Sequence, residues 1–225
     1  MSCQGKKLGA CEMTSSDQVV QPYEMGIKNM TDISFQSCVS LAKTLVPPYS
    51  SQSPIYRELQ RGTKILETED QLNGYMAYYG EWHRNKISRV LPHVPDDVFN
   101  NPFELVDWGC GQGVGLFPVA EYTGEYAENL QRVILIEPSG PALNRAALHA
   151  QRLFNEAEIR KVNKRFEMLE PADFTRRIPI PRIHLFSNVL DMDLFQQLDG
   201  GALHDFIGMV REYAFGLDQY FLCVS

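Results

Sequence analysis

The chain has 225 residues, of which 44% are hydrophobic and 22% charged, and its formal net charge is -7. This composition describes a soluble globular chain with enough apolar side chains for a sizeable core. The acidic balance argues against a protein whose main surface binds nucleic acid phosphates.

Its five cysteines are odd in number and widely spaced, without a CxxC pair. This pattern favours reduced thiols over a disulfide framework or a zinc site. No stretch approaches the roughly 18 to 20 apolar residues of a membrane span, and the N-terminus has no apolar run of signal-peptide length. We therefore expect a cytoplasmic protein with no membrane partner.

The first hundred residues divide into two predicted segments. Residues 1–31 are polar and aperiodic, which predicts a flexible leader. Residues 32–100 show mostly helical apolar spacing with a break at "PPYSSQSP", which predicts a lead of about three helices. The proline-rich stretch "LPHVPDDVFNNP" then predicts the connection to the next region.

Residues 101–225 change to short apolar strands that alternate with helical patterns. Such alternation predicts βαβ units, and hence an α/β fold with a doubly wound, mainly parallel sheet. Ligands of these sheets bind outside the carboxyl ends of the strands, at the switch point beside the first strand. The predicted strands are "FELVD", "RVILIE", "KRFEML", "RIHLFSN" and "QYFLCVS".

A cluster of glycines follows the first strand, in "FELVDWGCGQGVG". Gly109, Gly111 and Gly113 let the backbone turn sharply and approach a ligand, while amides at the start of the next helix offer donors. Glu137 closes the second strand, where a carboxylate accepts both hydroxyls of a ribose. Ser139 suits the cap of the following helix. The arrangement predicts a nucleoside-containing ligand.

The glycine spacing bears on which nucleoside is bound. The GxGxxG fingerprint of nicotinamide and flavin cofactors fails at one position, because Val114 or Leu116 stands where the third glycine belongs. A nicotinamide-dependent oxidoreductase is therefore the weaker alternative.

Instead, "LVDWGCGQG" and "VILIEPS" resemble the first two motifs of class I S-adenosylmethionine (SAM)-dependent methyltransferases, over roughly residues 103–225. The resemblance implies the strand order 3-2-1-4-5 and SAM as cofactor, with adenine contacts after strand three. The implied cofactor-binding residues are Asp107, Gly109, Cys110, Gly111, Gln112 and Gly113 for the methionine portion, Glu137 and Pro138 for the ribose, and Met168 and Leu169 for the adenine.

The segment "SNVLD" resembles the fourth motif of many small-molecule, RNA and protein methyltransferases. It implies that Ser187, Asn188 and Val189 border the transferred methyl group, and makes Ser187 and Asn188 catalytic candidates. A polar strand end also has a purely structural interpretation. The segment lacks both the nucleophilic cysteine of cytosine C5 methylation and the [DNS]PP[YFW] pattern of base amino-group methylation.

The helical lead contributes two further candidates. Tyr79, His83 and Lys86 share one helical face. Helices before strand one often close over the cofactor in this family, so His83 is a candidate base and Lys86 a candidate partner of the cofactor carboxylate; a solvated amphipathic face is the alternative. Asp191 and Asp193 are expected to cap a helix rather than bind metal.

The partners are less defined. Residues 160–182 carry seven Lys or Arg and three acids, a local charge of +4 that permits an RNA contact. The resembling family continues beyond strand five through strands six and seven, so we expect a C-terminally incomplete domain with Tyr220, Phe221 and Leu222 poorly covered, unless the lead or a second copy shields them. The oligomeric state is left open.

The sequence thus predicts methyl transfer from SAM to an unidentified acceptor, which is a small molecule, an RNA or a protein. A cofactor-binding or interaction module without activity is the alternative.

Overall fold

A computed structural model describes residues 21–50, 53–59, 64–174, 179–187, 189, 201–212 and 217–224. Its centre is a five-stranded, all-parallel sheet of order β3-β2-β1-β4-β5. This confirms the predicted doubly wound α/β fold and strand order. The strands are β1 (Phe103–Trp108), β2 (Leu130–Ile136), β3 (Glu158–Val162), β4 (Arg182–Ser187) and β5 (Gln219–Val224).

Helices precede the sheet and connect its strands. The helical lead contains α1 (Pro22–Asn29), α2 (Phe35–Thr44), α3 (Pro54–Glu58), α4 (Glu69–Val90) and α5 (Asp96–Phe99). The strands are joined by α6 (Leu116–Thr123), α7 (Gly140–Leu153), α8 (Pro171–Phe174) and α9 (Gly201–Glu212).

Strand β1 is the centre of the fold. All six of its residues are buried, because β2 and β4 pair with it on either side and helices cover both faces. Its register places Asp107 beside Leu135 of β2 and Leu185 of β4. Side chains alternate between the two faces, so Asp107 lies on the face of Leu105, which packs with Ile87 from the helical lead.

Part of the predicted flexible leader is helical instead. Residues 22–29 form α1, with Tyr23 and Ile27 fully buried against α2, α4 and α6. These two apolar side chains lie four residues apart and so share one face of the short helix. Residues 1–20 of the predicted leader lie outside the described residues.

The third strand lies earlier than predicted. It spans residues 158–162, whereas the predicted segment "KRFEML" contains a 3-10 turn at Phe166–Met168. Strand β3 forms one edge of the sheet. Its exposed Glu158 and Lys161 interrupt the run of apolar residues that marks the other strands in the sequence, so the pattern did not predict a strand there.

Strand β5 forms the opposite edge, and the helical lead shields one of its faces. Leu222 and Val224 are buried in the same core as Ile87 and Leu91. The helical lead therefore covers Leu222, which is the exception that the sequence analysis allowed. Tyr220 and Phe221 are half-buried, and the ring of Phe221 stacks on His184 at 4.7 Å. No helix among the described residues is long and apolar enough to cross a membrane.

Candidate functional site

The loop after β1 is built on three glycines with positive φ. Gly109, Gly111 and Gly113 have φ of 64°, 52° and 79°, a region that side chains rarely adopt. Their surroundings differ. A Cβ on Gly113 would lie 3.0 Å from the Cα of Ala146 in α7, while a Cβ on Gly111 would meet nothing within 4 Å. Gly113 therefore permits close helix packing, and Gly111 leaves an open approach to the loop.

Glu137 reaches this loop from the end of β2. Its carboxylate accepts hydrogen bonds from the Gly111 amide at 3.0 Å and from the Ser139 amide at 2.9 Å. The side chain of Ser139 caps α7 through the Ala142 amide, as predicted. Burial raises the pKa of Glu137, although the two amide hydrogen bonds oppose that shift. Glu137 thus fixes the loop, and each of its oxygens has a second lone pair.

Asp107 is the second acid beside the loop, and its environment is unusual. The residue is 1% exposed, and neither carboxylate oxygen has a hydrogen-bond partner among the described residues. Burial, and then the negative charge of Glu137, raises the pKa of Asp107 to about 8. Burying a carboxyl without a hydrogen-bond donor costs free energy, because the group loses its hydration without compensation. Native structures accordingly pair most such groups. A hydrogen-bond donor or a positive charge placed beside Asp107 would therefore stabilise its ionised form.

These residues surround a small cavity of about 40 Å³. It brings together predicted residues of the glycine loop, the helical lead and the end of β4. The lining residues are Tyr75, His83, Asp107, Gly109, Cys110, Gly111, Gln112, Val114, Gly115 and Ser187.

The lead contributes His83 and Tyr75 to the cavity. His83 is buried, and its Nδ1 lies 3.1 Å from the Tyr75 hydroxyl. Burial, assisted by Lys86, lowers the pKa of His83 to about 4, so the imidazole is neutral at pH 7. Sequence reasoning missed Tyr75. It lies one turn before Tyr79 on the predicted face, so extending the same spacing by four residues finds it.

Cys110 and Gln112 line the cavity in different ways. The Cys110 side chain is buried, and burial raises its thiol pKa well above the usual value, as expected for a structural residue. Gln112 points its side-chain amide away from the loop. It donates to the Leu72 carbonyl at 2.9 Å and accepts from Arg145 at 3.1 Å.

Gln112 belongs to a buried polar network that ties the loop to α1, α4 and α7. Arg145 also pairs with Glu69 at the start of α4, and its guanidinium lies 3.8 Å from the Tyr23 ring centroid. The Nδ1 of His149 donates to the Gln112 carbonyl at 2.9 Å, so Nε2 of the neutral ring accepts from the Tyr23 hydroxyl at 3.1 Å. The side chain of Gln112 therefore holds the loop in place from beneath.

Several predicted residues lie apart from the cavity. Lys86 places its Nζ 5.1 Å from the ring centroid of exposed Trp82, and Tyr79 stacks on Tyr56. Because β3 ends at Val162, Met168 and Leu169 do not follow it directly, and Met168 is 63% exposed. The predicted adenine contacts at these two residues therefore lie beyond the end of β3 and stay a prediction.

The other predicted residues lie near the loop or outside the described residues. The Pro138 carbonyl accepts from the Asn163 side chain at 2.8 Å. Buried Val189 covers Gly109, since a Cβ there would lie 2.8 Å from its side chain. Asn188, Asp191 and Asp193 are not described. No cluster of three His, Cys, Asp or Glu with metal-binding geometry occurs in the described parts of the chain.

The basic segment at 160–182 has partners within the chain. Lys164 pairs with Asp173 and Glu170, and Arg182 is buried against Glu104 at the opposite end of the sheet from the cavity. Arg176 and Arg177 lie outside the described residues. An RNA contact here stays a prediction.

No protein-family model and no curated protein matches the chain. The chain is similar to solved structures of several methyltransferases. A magnesium protoporphyrin IX methyltransferase from Synechocystis PCC 6803 with bound SAM has 14% identity and a TM-score of 0.40, covering 73% of this chain and 68% of that one. A SAM-dependent methyltransferase from Leishmania major has 15% identity and a TM-score of 0.40, covering 77% and 62%.

The third is a geranyl diphosphate C-methyltransferase from Streptomyces coelicolor A3(2), in complex with Mg2+, geranyl diphosphate and S-adenosyl-L-homocysteine (SAH). It has 14% identity and a TM-score of 0.33, covering 81% of this chain and 60% of that one. The chain thus spans roughly 60–68% of the length of these three proteins.

Proposed function

We propose that this chain binds SAM at the glycine loop and transfers its methyl group to an acceptor. The observation that carries the proposal is the buried carboxyl of Asp107, which has no hydrogen-bond donor and lies beside a second buried acid, Glu137. A ligand with positive charge satisfies this site best. SAM has both a sulfonium and an ammonium group, and a ribose diol for Glu137.

The same electrostatics disfavour a nicotinamide cofactor. A pyrophosphate at this loop would place negative charge beside the ionised Glu137, in a low-dielectric environment that strengthens repulsion, and protonated Asp107 would offer no positive charge to offset it. The positions that break the GxGxxG spacing, Val114 and Leu116, are both buried and apolar. The fold is compatible with an oxidoreductase, but the charges and the loop sequence of the site disfavour one.

Methyl transfer requires little dedicated chemistry from the protein. When bound, SAM would supply a methyl group that is attached to a sulfonium. A lone pair of the acceptor would form the new bond to the methyl carbon, and the electron pair of the broken C–S bond would stay on the sulfur. The protein must align the acceptor and exclude water. Buried His83 and the adjoining Ser187 line the cavity where this alignment is proposed, and neutral His83 is a candidate to take a proton from the acceptor.

The cavity also supports the proposed lid. Its volume of about 40 Å³ is far below the ~300 to 1,000 Å³ typical of ligand sites. An element that lines it must therefore move to admit SAM, and α4 contributes Tyr75 and His83 from outside the sheet. With SAM bound, we expect slower hydrogen exchange across residues 75–86. Equal exchange with and without SAM would remove the lid assignment.

Calorimetry and turnover test the function. We expect SAM to bind in a titration in which NAD does not, and binding of NAD alone would favour the oxidoreductase. Incubation with SAM and fractionated cell extract should then form SAH. Binding without SAH formation in any fraction would favour the inactive module. Exposed Arg165 offers a matched control for the cofactor site, since Arg165→Ala should leave SAM binding unchanged.

A further inference from the structure

Two buried acids, Asp107 and Glu137, meet at the glycine loop, and they differ in their partners. Glu137 receives two backbone amide hydrogen bonds, from Gly111 and Ser139. Asp107 receives none, although it is 1% exposed and lines the cavity. The amides stabilise a negative charge on Glu137, so the proton that relieves repulsion between the two acids resides on Asp107.

The groups that face Asp107 do not neutralise it. Strand β2 presents Glu137, the loop presents Cys110, and helix α4 presents Tyr75 and His83. The adjoining end of β4 presents the uncharged Ser187. Of the described residues that line the cavity, His83 alone has a basic side chain, and burial lowers its pKa to about 4. Among the described residues that line the cavity, no cation therefore compensates the pair at neutral pH.

We propose that the sulfonium of SAM displaces a proton from the Asp107–Glu137 pair, so that the site favours SAM over SAH by a margin that grows with pH. Asp107 is then the residue by which the site distinguishes the charged cofactor from its neutral thioether product. This inference rests on the proposed function.

The expected pH window follows from the pKa of Asp107, which burial and Glu137 raise to about 8. Below pH 8 the free site holds the proton, and a nearby cation must expel it to solvent before both acids are ionised. The apparent SAM affinity then falls as the ionised fraction falls, by at most about tenfold per pH unit for one proton. Above pH 8 the proton is already lost, and the affinity levels off.

SAH is the matched ligand for this test. It shares the ammonium, carboxylate, ribose and adenine of SAM and lacks only the methyl group and the sulfonium charge. Titrations of the shared groups therefore cancel in the ratio of the two affinities. What remains is the response of the protein to the sulfonium.

The experiment is calorimetric titration of the full chain with SAM and with SAH from pH 6 to pH 9. We expect the SAM-to-SAH affinity ratio to rise roughly tenfold between pH 6 and 7 and to flatten above pH 8. Comparison of phosphate and imidazole buffers at pH 7 should show that SAM releases close to one proton more than SAH. In Asp107→Asn the ratio should no longer change with pH.

Parallel pH profiles for SAM and SAH, or a pH-dependent ratio that persists in Asp107→Asn, would overturn the inference while leaving SAM binding in place. If wild-type protein binds neither ligand at any pH, the proposed function itself fails. If Asp107→Asn binds neither ligand, the number of protons that the wild-type protein releases on binding SAM, compared with SAH, still tests the inference, and equal numbers would contradict it.

Discussion

Strand β1 carries two buried carboxylates, Glu104 near its start and Asp107 at its end, and their surroundings are opposite. Glu104 accepts two hydrogen bonds from Arg182, at 3.0 and 2.6 Å, and lies 3.3 Å from Arg132. Among the described residues, Asp107 has no hydrogen-bond donor, and no Lys or Arg lines its cavity. The two residues are three positions apart, or about 10 Å along a strand.

The difference separates an acid with a structural role from one that lines the candidate ligand site. Burying an ionised carboxylate is costly unless partners compensate it. At the amino end of the sheet Arg182 and Arg132 provide that compensation within the chain. At the carboxyl end, where ligands bind in doubly wound folds, Asp107 has no such partner among the described residues.

The sharpest test of this comparison is the pH dependence of stability. The pKa of Asp107 is about 8 in the folded protein and near 3.9 in an unfolded chain. The folded state therefore holds the proton between these values, and stability falls as pH rises through this window. Relative to wild type, Asp107→Asn should gain up to about 1.4 kcal/mol per pH unit between pH 4 and 8, measured by chemical denaturation.

Asp173 provides the control of opposite sign. Burial raises its pKa, but hydrogen bonds from Lys164 and the Glu170 amide outweigh that effect and leave the pKa below the usual value. Asp173 thus stabilises the fold above its unfolded pKa, and Asp173→Asn should lose stability at neutral pH. A stability difference between Asp107→Asn and wild type that does not vary with pH would remove the contrast between the two ends of β1.

The second prediction concerns the paired end. The side chains of Arg182 and Glu104 are 2% and 1% exposed. Arg182→Ala should destabilise the protein by about 3–5 kcal/mol, because it leaves Glu104 buried with a reduced set of partners. SAM affinity of the folded fraction should be unchanged. Denaturation beside the exposed control Arg165→Ala tests this, and equal losses in the two variants would contradict it.

The features that the sequence predicted well are those encoded locally. The apolar run of β1, the glycines after it and the acid that closes β2 stand in consecutive segments, and the alternation of strands and helices predicts a parallel sheet. The strand order was implied by the family resemblance. Edge and surface elements were harder to predict. Strand β3 is an edge with exposed charges, and α1 depends on the tertiary burial of Tyr23 and Ile27.

The site was predicted in part for a related reason. Residue types and spacing singled out Asp107, Gly111 and His83, and the structure places all three in the lining of one cavity. The role of Gln112 beneath the loop was missed, because its partners Leu72 and Arg145 are 40 and 33 residues distant in sequence. Whether Asp107 has a hydrogen-bond donor depends on all the described elements that pack around it, so no local sequence pattern predicts the missing donor.

The third prediction compares two glycines of the ligand-facing end. Gly113→Ala should cost about 1–2 kcal/mol of backbone strain and a further ~1–3 kcal/mol from overpacking, because the new methyl meets the Ala146 backbone at 3.0 Å. Gly111→Ala should cost only the strain, since its side is open.

The matched pair separates packing from binding. Thermal melts should rank Gly113→Ala below Gly111→Ala in stability. SAM titration should show weaker binding by Gly111→Ala, because its methyl group occupies the open approach to the loop. If Gly111→Ala binds SAM as tightly as wild type, the ligand does not approach the loop from that side.

The last prediction concerns Glu137, the acid with backbone partners. Glu137→Ala should weaken SAM binding by about 1.5–3 kcal/mol, since a charge-assisted acceptor is lost. The fold should persist because little core volume is removed. However, the Gly111 and Ser139 amides also lose their acceptor, so part of the loss reflects a loosened loop. Glu137→Gln keeps one acceptor oxygen and should bind SAM with intermediate affinity. Unchanged affinity in a folded Glu137→Ala variant would place the ribose elsewhere, and would make Glu137, like Glu104, a structural acid.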